Sequence, residues 1–150
     1  MNETTKAAPP FTIGETFEKD MIFSKDDTRA FSKFIGDMNP LHLDEDYAKA
    51  SRFGGLIVAG AHTAGAMAAF TATFTTGRAE KNVGLEITFR FRRAVMAEET
   101  LHCVWKPAAI EDKPSLNGHI VTFEGTLTNS KGEVAVTGQT RTLVFYDQSG

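Results

Sequence analysis

At 150 residues the chain fits one domain better than two, and it is long enough to bury a core without disulfide or metal staples. Its 41% hydrophobic and 23% charged residues with a formal net charge of −3, and an isoelectric point near 5.8, argue against a nucleic-acid partner, which calls for a basic excess. The single cysteine, Cys103, excludes an internal disulfide and agrees with a reducing, cytoplasmic setting.

Residues 1–11 are polar or proline-bearing and are expected to be a flexible N-terminal arm. They lack the apolar run of a secretory leader. The remainder, 12–150, is expected to form the single domain. The first strand is expected over Thr16–Phe23, with Phe17, Met21 and Phe23 on one face. Ser24 follows as a helix cap with Asp26 and Asp27 in the first turn, where carboxylates suit the positive end of a helix. That helix carries Ala30, Phe31, Phe34 and Ile35 as its apolar residues and ends near Gly36, because Asn39-Pro40 disfavours continuation. A short helix over Asp44–Ser51 turns Tyr47, Ala48 and Phe53 inward.

The stretch Leu56–Phe74 is broken by His62, threonines and glycines. It suits a buried helix, about Ala61–Thr75, rather than a membrane span. Its small residues let neighbouring backbone approach closely. Val83–Val95, Leu101–Ala109, His119–Asn129 and Glu133–Phe145 then read as four strands in meander. Asn129-Ser130-Lys131-Gly132 makes one hairpin turn, and Lys113–Gly118 forms a longer connection. The order gives an α+β fold: an antiparallel sheet wrapped around a long central helix, which is the hot-dog arrangement.

The segment Gly36-Asp37-Met38-Asn39-Pro40-Leu41-His42 carries two acid–base groups on a stiff loop. A rigid loop holds side chains at a set separation, as proton transfer requires. Histidine exchanges protons near neutral pH, and a carboxylate beside it orients a shared water or acts as the complementary acid or base. The same residue types also occur where an Asp ends a helix and a His caps a loop, so residue types alone leave both readings open.

Gly36-Asp37-x-Asn39-Pro40-Leu41-His42-x-Asp44, followed by Tyr47-Ala48 and Phe53, resembles the motif of the MaoC-like (R)-specific enoyl-CoA hydratases. Gly14–Phe17, Ile57–Gly60 and Phe89–Val95 extend the resemblance to about residues 12–145. It implies a hydratase acting on trans-2-enoyl thioesters, with Asp37 and His42 holding one water between them. His42 would be the base on the water that adds to C3, Asp37 would protonate C2, and the product would be R-configured. The backbone N–H of Gly60, at a helix start, would stabilise the oxyanion. Asn39 is grouped with it at the substrate-binding end, as a residue that orients the loop or a catalytic side chain. A homodimer is also implied, with pocket walls from both chains. Coenzyme A or an acyl carrier enters as part of the substrate.

The chain departs from the family where many members have His and Pro, at Ala59 and Ala94. His62 either replaces a polar contact in the pocket or finds a partner in the core. Arg90, Arg92 and Arg93 suit coenzyme A phosphates, a solvated strand face or an interface ion pair. Four scattered histidines and one cysteine show no metal-ligand spacing, so neither a metal nor a cofactor is expected. Two other readings stay open on the same fold: a thioesterase, and a non-catalytic acyl-thioester binding module.

Overall fold

A computed structural model describes residues 7–147. In chain order the elements are β1 (Phe17–Ile22), α1 (Lys25–Ile35), α2 (Pro40–Leu43), α3 (Glu45–Ala50), α4 (Gly60–Arg78), β2 (Asn82–Phe91), β3 (Thr100–Lys113), β4 (Gly118–Thr128) and β5 (Val134–Phe145). The single sheet is antiparallel with spatial order β1-β3-β4-β5-β2. Only β3, β4 and β5 form a meander. The expected four-strand meander fails at β2, which lies beyond β5 at the far edge instead of beside β3.

The reason lies in one row of residues across the sheet. Phe17, Trp105, Gly125, Gly138 and Phe89 stand side by side on the five strands. A Cβ on Gly125 would lie 2.4 Å from the Trp105 ring, and one on Gly138 would lie 2.4 Å from the Phe89 ring. The two glycines leave a floor on which both rings lie and meet edge to face, with centroids 6.3 Å apart. Phe89 fits there only if β2 pairs with β5.

The central helix α4 extends further than expected at both ends. It buries Thr63, Met67, Thr71 and Thr75 at a spacing of one turn. Two of the threonine hydroxyls bond back to the helix, Thr75 Oγ1 donating to the Thr71 carbonyl at 2.8 Å and Thr63 Oγ1 to the Ala59 carbonyl at 3.4 Å, while Thr71 Oγ1 is buried without a hydrogen-bond partner. The core around it includes Phe17, Met21, Phe23, Leu101, Trp105 and Phe123. Cys103 is buried among them as a packed residue, and burial pushes its thiol up to about 12, so it stays protonated at neutral pH.

Three expectations about packing are corrected. Helix α1 buries Thr28 and Ser32 rather than its apolar residues, and Phe34 is 87% exposed. The Thr28 hydroxyl donates to the Ser24 carbonyl at 2.7 Å, so a small polar residue enters without leaving its donor unpaired. In α3 only Ala48 is buried, while Tyr47 and Phe53 are exposed. Of the expected arm, residues 1–6 lie outside the described residues, and Phe11 is anchored in the core, edge-on to Phe123.

No helix among the described residues is long and apolar enough to cross a membrane. No cluster of three or more metal-binding side chains occurs among them either.

Candidate active site

Local rules place the two candidate catalytic residues. Ser24 Oγ accepts from the Asp27 N–H and starts α1. Gly36, with φ of 83°, ends it in the left-handed conformation that glycine adopts without strain. The Asp37 N–H then bonds back to the Ser32 carbonyl at 2.8 Å, fixing the first residue past the helix. Asp37 Oδ1 accepts from the Asn39 N–H, and Asn39 Oδ1 accepts from the Leu41 N–H. Asn39 is thereby the cap of α2, with Pro40 at its first position, where a missing N–H costs nothing. His42 therefore stands on a one-turn helix and not on the extended stiff loop expected from the sequence.

His42 is 7% exposed. Its Nδ1 lies 2.8 Å from the Ile57 carbonyl oxygen. A carbonyl only accepts, so Nδ1 carries the hydrogen and the neutral ring presents a bare lone pair at Nε2. Nε2 faces Asp37 Oδ2 at 3.5 Å. Neutral imidazole and carboxylate both accept at that gap, an arrangement that suits a water donating to both.

Ile57 is itself pinned. Its N–H donates to the Leu41 carbonyl, and it pairs with Met96 in an isolated antiparallel bridge. Val58 N–H donates to the Val95 carbonyl alongside. The tautomer of His42 thus rests on a backbone group, which no side-chain motif reveals.

Gly60 opens α4, and its N-cap Ala59 supplies no side-chain bond. The Ala59 carbonyl takes the N–H groups of His62 and Thr63, which leaves the first N–H groups of the helix directed outward. His42, Gly60, Thr63 and Phe91 line one cavity of about 360 Å³, with Arg92 and Arg93 also in its wall. The structure therefore brings His42 and Gly60 to one cavity, and Asp37 stands 3.5 Å from His42 outside its lining.

It does not bring His62 there. His62 stacks on Phe31 with ring centroids 4.2 Å apart and meets Phe23 edge-on, in a separate aromatic groove that also includes Phe34 and Asp27. Burial holds its pKa below the ordinary value, against the pull of the Asp27 charge. His102 lies on the solvent face of β3, bridging Asp20 at 2.8 Å and Glu18 at 3.2 Å. His119 is buried beside the Tyr146 hydroxyl. Of the three arginines, Arg93 pairs with Glu133 at 3.0 Å.

The fold and this site define a hot-dog domain with a conjoined Asp/His pair. Residues 7–123 match the profile of the MaoC like domain, and the chain belongs to the MaoC-like dehydratase family. No curated protein matches the sequence. Among solved structures the chain is similar to the R-hydratase PhaJ1 from Pseudomonas aeruginosa, with a TM-score of 0.77, 24% identity, and 91% and 83% of the two chains covered. It is similar also to the (R)-hydratase of A. caviae involved in PHA biosynthesis, with a TM-score of 0.75, 23% identity and 91% and 99% coverage. A MaoC-like dehydratase from Rhodospirillum rubrum gives a TM-score of 0.73 at 26% identity, with 91% and 94% covered.

Proposed function

We propose that this chain adds water reversibly to trans-2-enoyl thioesters, giving (R)-3-hydroxyacyl thioesters. The observation that carries the reading is the His42 ring, fixed at Nδ1 by the Ile57 carbonyl with Nε2 turned to Asp37 at 3.5 Å. In hydration, Nε2 takes a proton from water as the water oxygen bonds to C3. The C2–C3 double-bond electrons move toward the thioester, and Asp37 in its acid form gives a proton to C2. Passage of the proton from His42 to Asp37 by way of a bridging water restores both groups.

The charge gathering on the thioester oxygen is met by the Gly60 N–H, at the positive end of the nineteen-residue helix α4. Asn39 holds the loop that carries Asp37 and α2. Addition of water is redox-neutral, so it calls for no redox cofactor, and coenzyme A or an acyl carrier comes with the substrate.

The working unit in this reading is a homodimer. β2 has one free edge and presents Leu85 and Ile87 to solvent, and an open apolar edge strand favours pairing.

The test is loss of conjugated-thioester absorbance with an enoyl-CoA panel and chiral analysis of the product. Wild type is expected to turn over, and Asp37→Asn and His42→Ala are expected to lose about 10²–10⁴-fold. Unchanged rates in folded variants overturn the assignment. Thiol release from saturated acyl-CoA would point to a thioesterase, and tight binding without turnover to a binding module.

A further inference from the structure

Phe91 is the last residue of β2 and pairs with Val136 of β5. On this strand Ile87, Phe89 and Phe91 oppose Thr140, Gly138 and Val136, which places Phe91 on the face toward α4. Its ring ends against the first residue of that helix: a Cβ on Gly60 would lie 3.0 Å from Phe91 Cζ and 3.2–3.3 Å from the two Cε atoms. Glycine at this position thus makes room for a phenyl ring. Phe91 is nevertheless 53% exposed, so its contact with Gly60 occupies only part of the ring and the rest forms wall of the cavity that holds His42.

Two polar points fix an acyl thioester in that cavity. The thioester oxygen belongs at Gly60 N–H and C3 belongs at His42 Nε2, so C2 lies between them. The ring that touches Gly60 therefore borders the start of the acyl chain rather than its far end. We propose that Phe91 is a specificity-determining residue that confines the site to acyl thioesters unbranched at C2. This inference rests on the hydratase reading for the placement of the substrate. The ring does not touch a proton in transit. It acts by occupying the volume that a C2 substituent needs, and the rigid glycine backbone behind it prevents retreat in that direction.

A hydrophobic wall discriminates one methyl group by about 10–200-fold. The experiment compares crotonyl-CoA with tiglyl-CoA, its C2-methyl analogue, in hydration, and butyryl-CoA with 2-methylbutyryl-CoA in calorimetric binding. Wild type, Phe91→Ala and Phe91→Leu are measured, with circular dichroism to establish folding. The expected result is a preference for the unbranched member of each pair that falls by about 10-fold or more in Phe91→Ala, with Phe91→Leu between. If Phe91→Ala does not fold, Phe91→Leu is read for the same fall.

Ratios unchanged in a folded variant overturn the proposal, as does absence of binding of any acyl-CoA. If wild type hydrates neither enoyl-CoA but prefers butyryl-CoA and loses that preference in Phe91→Ala, the wall stands and the hydratase reading falls.

Discussion

The Ile57 carbonyl oxygen accepts a hydrogen bond from His42 Nδ1 at 2.8 Å, and this one contact decides which nitrogen of the ring is free to act as a base. The contact comes from backbone, so the Ile57 side chain is dispensable to it. Ile57→Ala is expected to keep kcat/KM for enoyl-CoA hydration within a few-fold of wild type, whereas His42→Ala loses about 10²–10⁴-fold. Steady-state kinetics on the two folded variants check this. A collapse of kcat in Ile57→Ala with the fold intact would place the side chain, not the carbonyl, in the machinery.

This contact also marks the boundary of what the sequence reveals. Asp37 and His42 were legible as a candidate pair because their side chains form a spaced pattern, while Gly60 came from the family resemblance alone. The Ile57 carbonyl was not legible, since every residue has one and only the α2-to-Val95 bracing shows where it points. Phe91 was legible as part of a strand, but its contact with Gly60 depends on β2 crossing to the far edge, which the expected meander did not allow. The aromatic stripe of α1 misled for another reason. Phe31 and Phe34 recur at helical spacing, yet Thr28 satisfies its own hydroxyl and takes the buried position instead. Ser24, Gly36 and the Asn129–Gly132 turn were read correctly because caps and tight turns are decided by local chemistry.

The glycine floor under Trp105 and Phe89 gives a stability prediction with a built-in control. Gly125→Ala and Gly138→Ala each drive a methyl to within 2.4 Å of a ring held in the core. Overpacking of this kind costs about 1–3 kcal/mol, and both variants are expected to unfold at lower urea than wild type. Gly65 sits on the exposed side of α4 with nothing within 4 Å of an added Cβ. Gly65→Ala is expected to stabilise by about 0.8–1.0 kcal/mol through helix propensity. Chemical denaturation of all three checks the contrast, and equal effects at the three positions would dismiss the floor as a feature of the fold.

Two histidines away from Asp37 and His42 respond to pH in opposite directions. Hydrogen bonds that His102 donates to Asp20 and Glu18 raise its pKa. A raised folded value stabilises fully below the ordinary histidine pKa, about 6.5, and the contribution is lost as pH rises through the folded value. His102→Gln is therefore expected to lower Tm at about pH 6 and to have little effect at about pH 9. Burial lowers the pKa of His62. A depressed histidine leaves the unfolded chain binding protons more readily, so stability is lost as pH falls from about 6.5 through the folded value. His62→Phe keeps a ring on Phe31 and is expected to gain Tm relative to wild type on acidification. Thermal melts across this range check both signs, and parallel pH profiles for the two variants would contradict them.

The free edge of β2 carries the last prediction. β5 satisfies one side of this strand only, and the other side leaves backbone donors and acceptors beside Ile87, which is 59% exposed. A second copy joining edge to edge would pair those groups and cover that side chain, and it would bring a second chain close to Phe91 at the end of the same strand. Ile87→Lys places a charge on the edge, a device that blocks strand pairing. Sedimentation equilibrium is expected to give twice the chain mass for wild type and a single chain for Ile87→Lys. Hydration is expected to fall together with association, since the proposed homodimer takes pocket walls from both chains. A wild-type chain that sediments singly at full activity would show that the site is complete within one chain, and the exposed edge would then need another explanation.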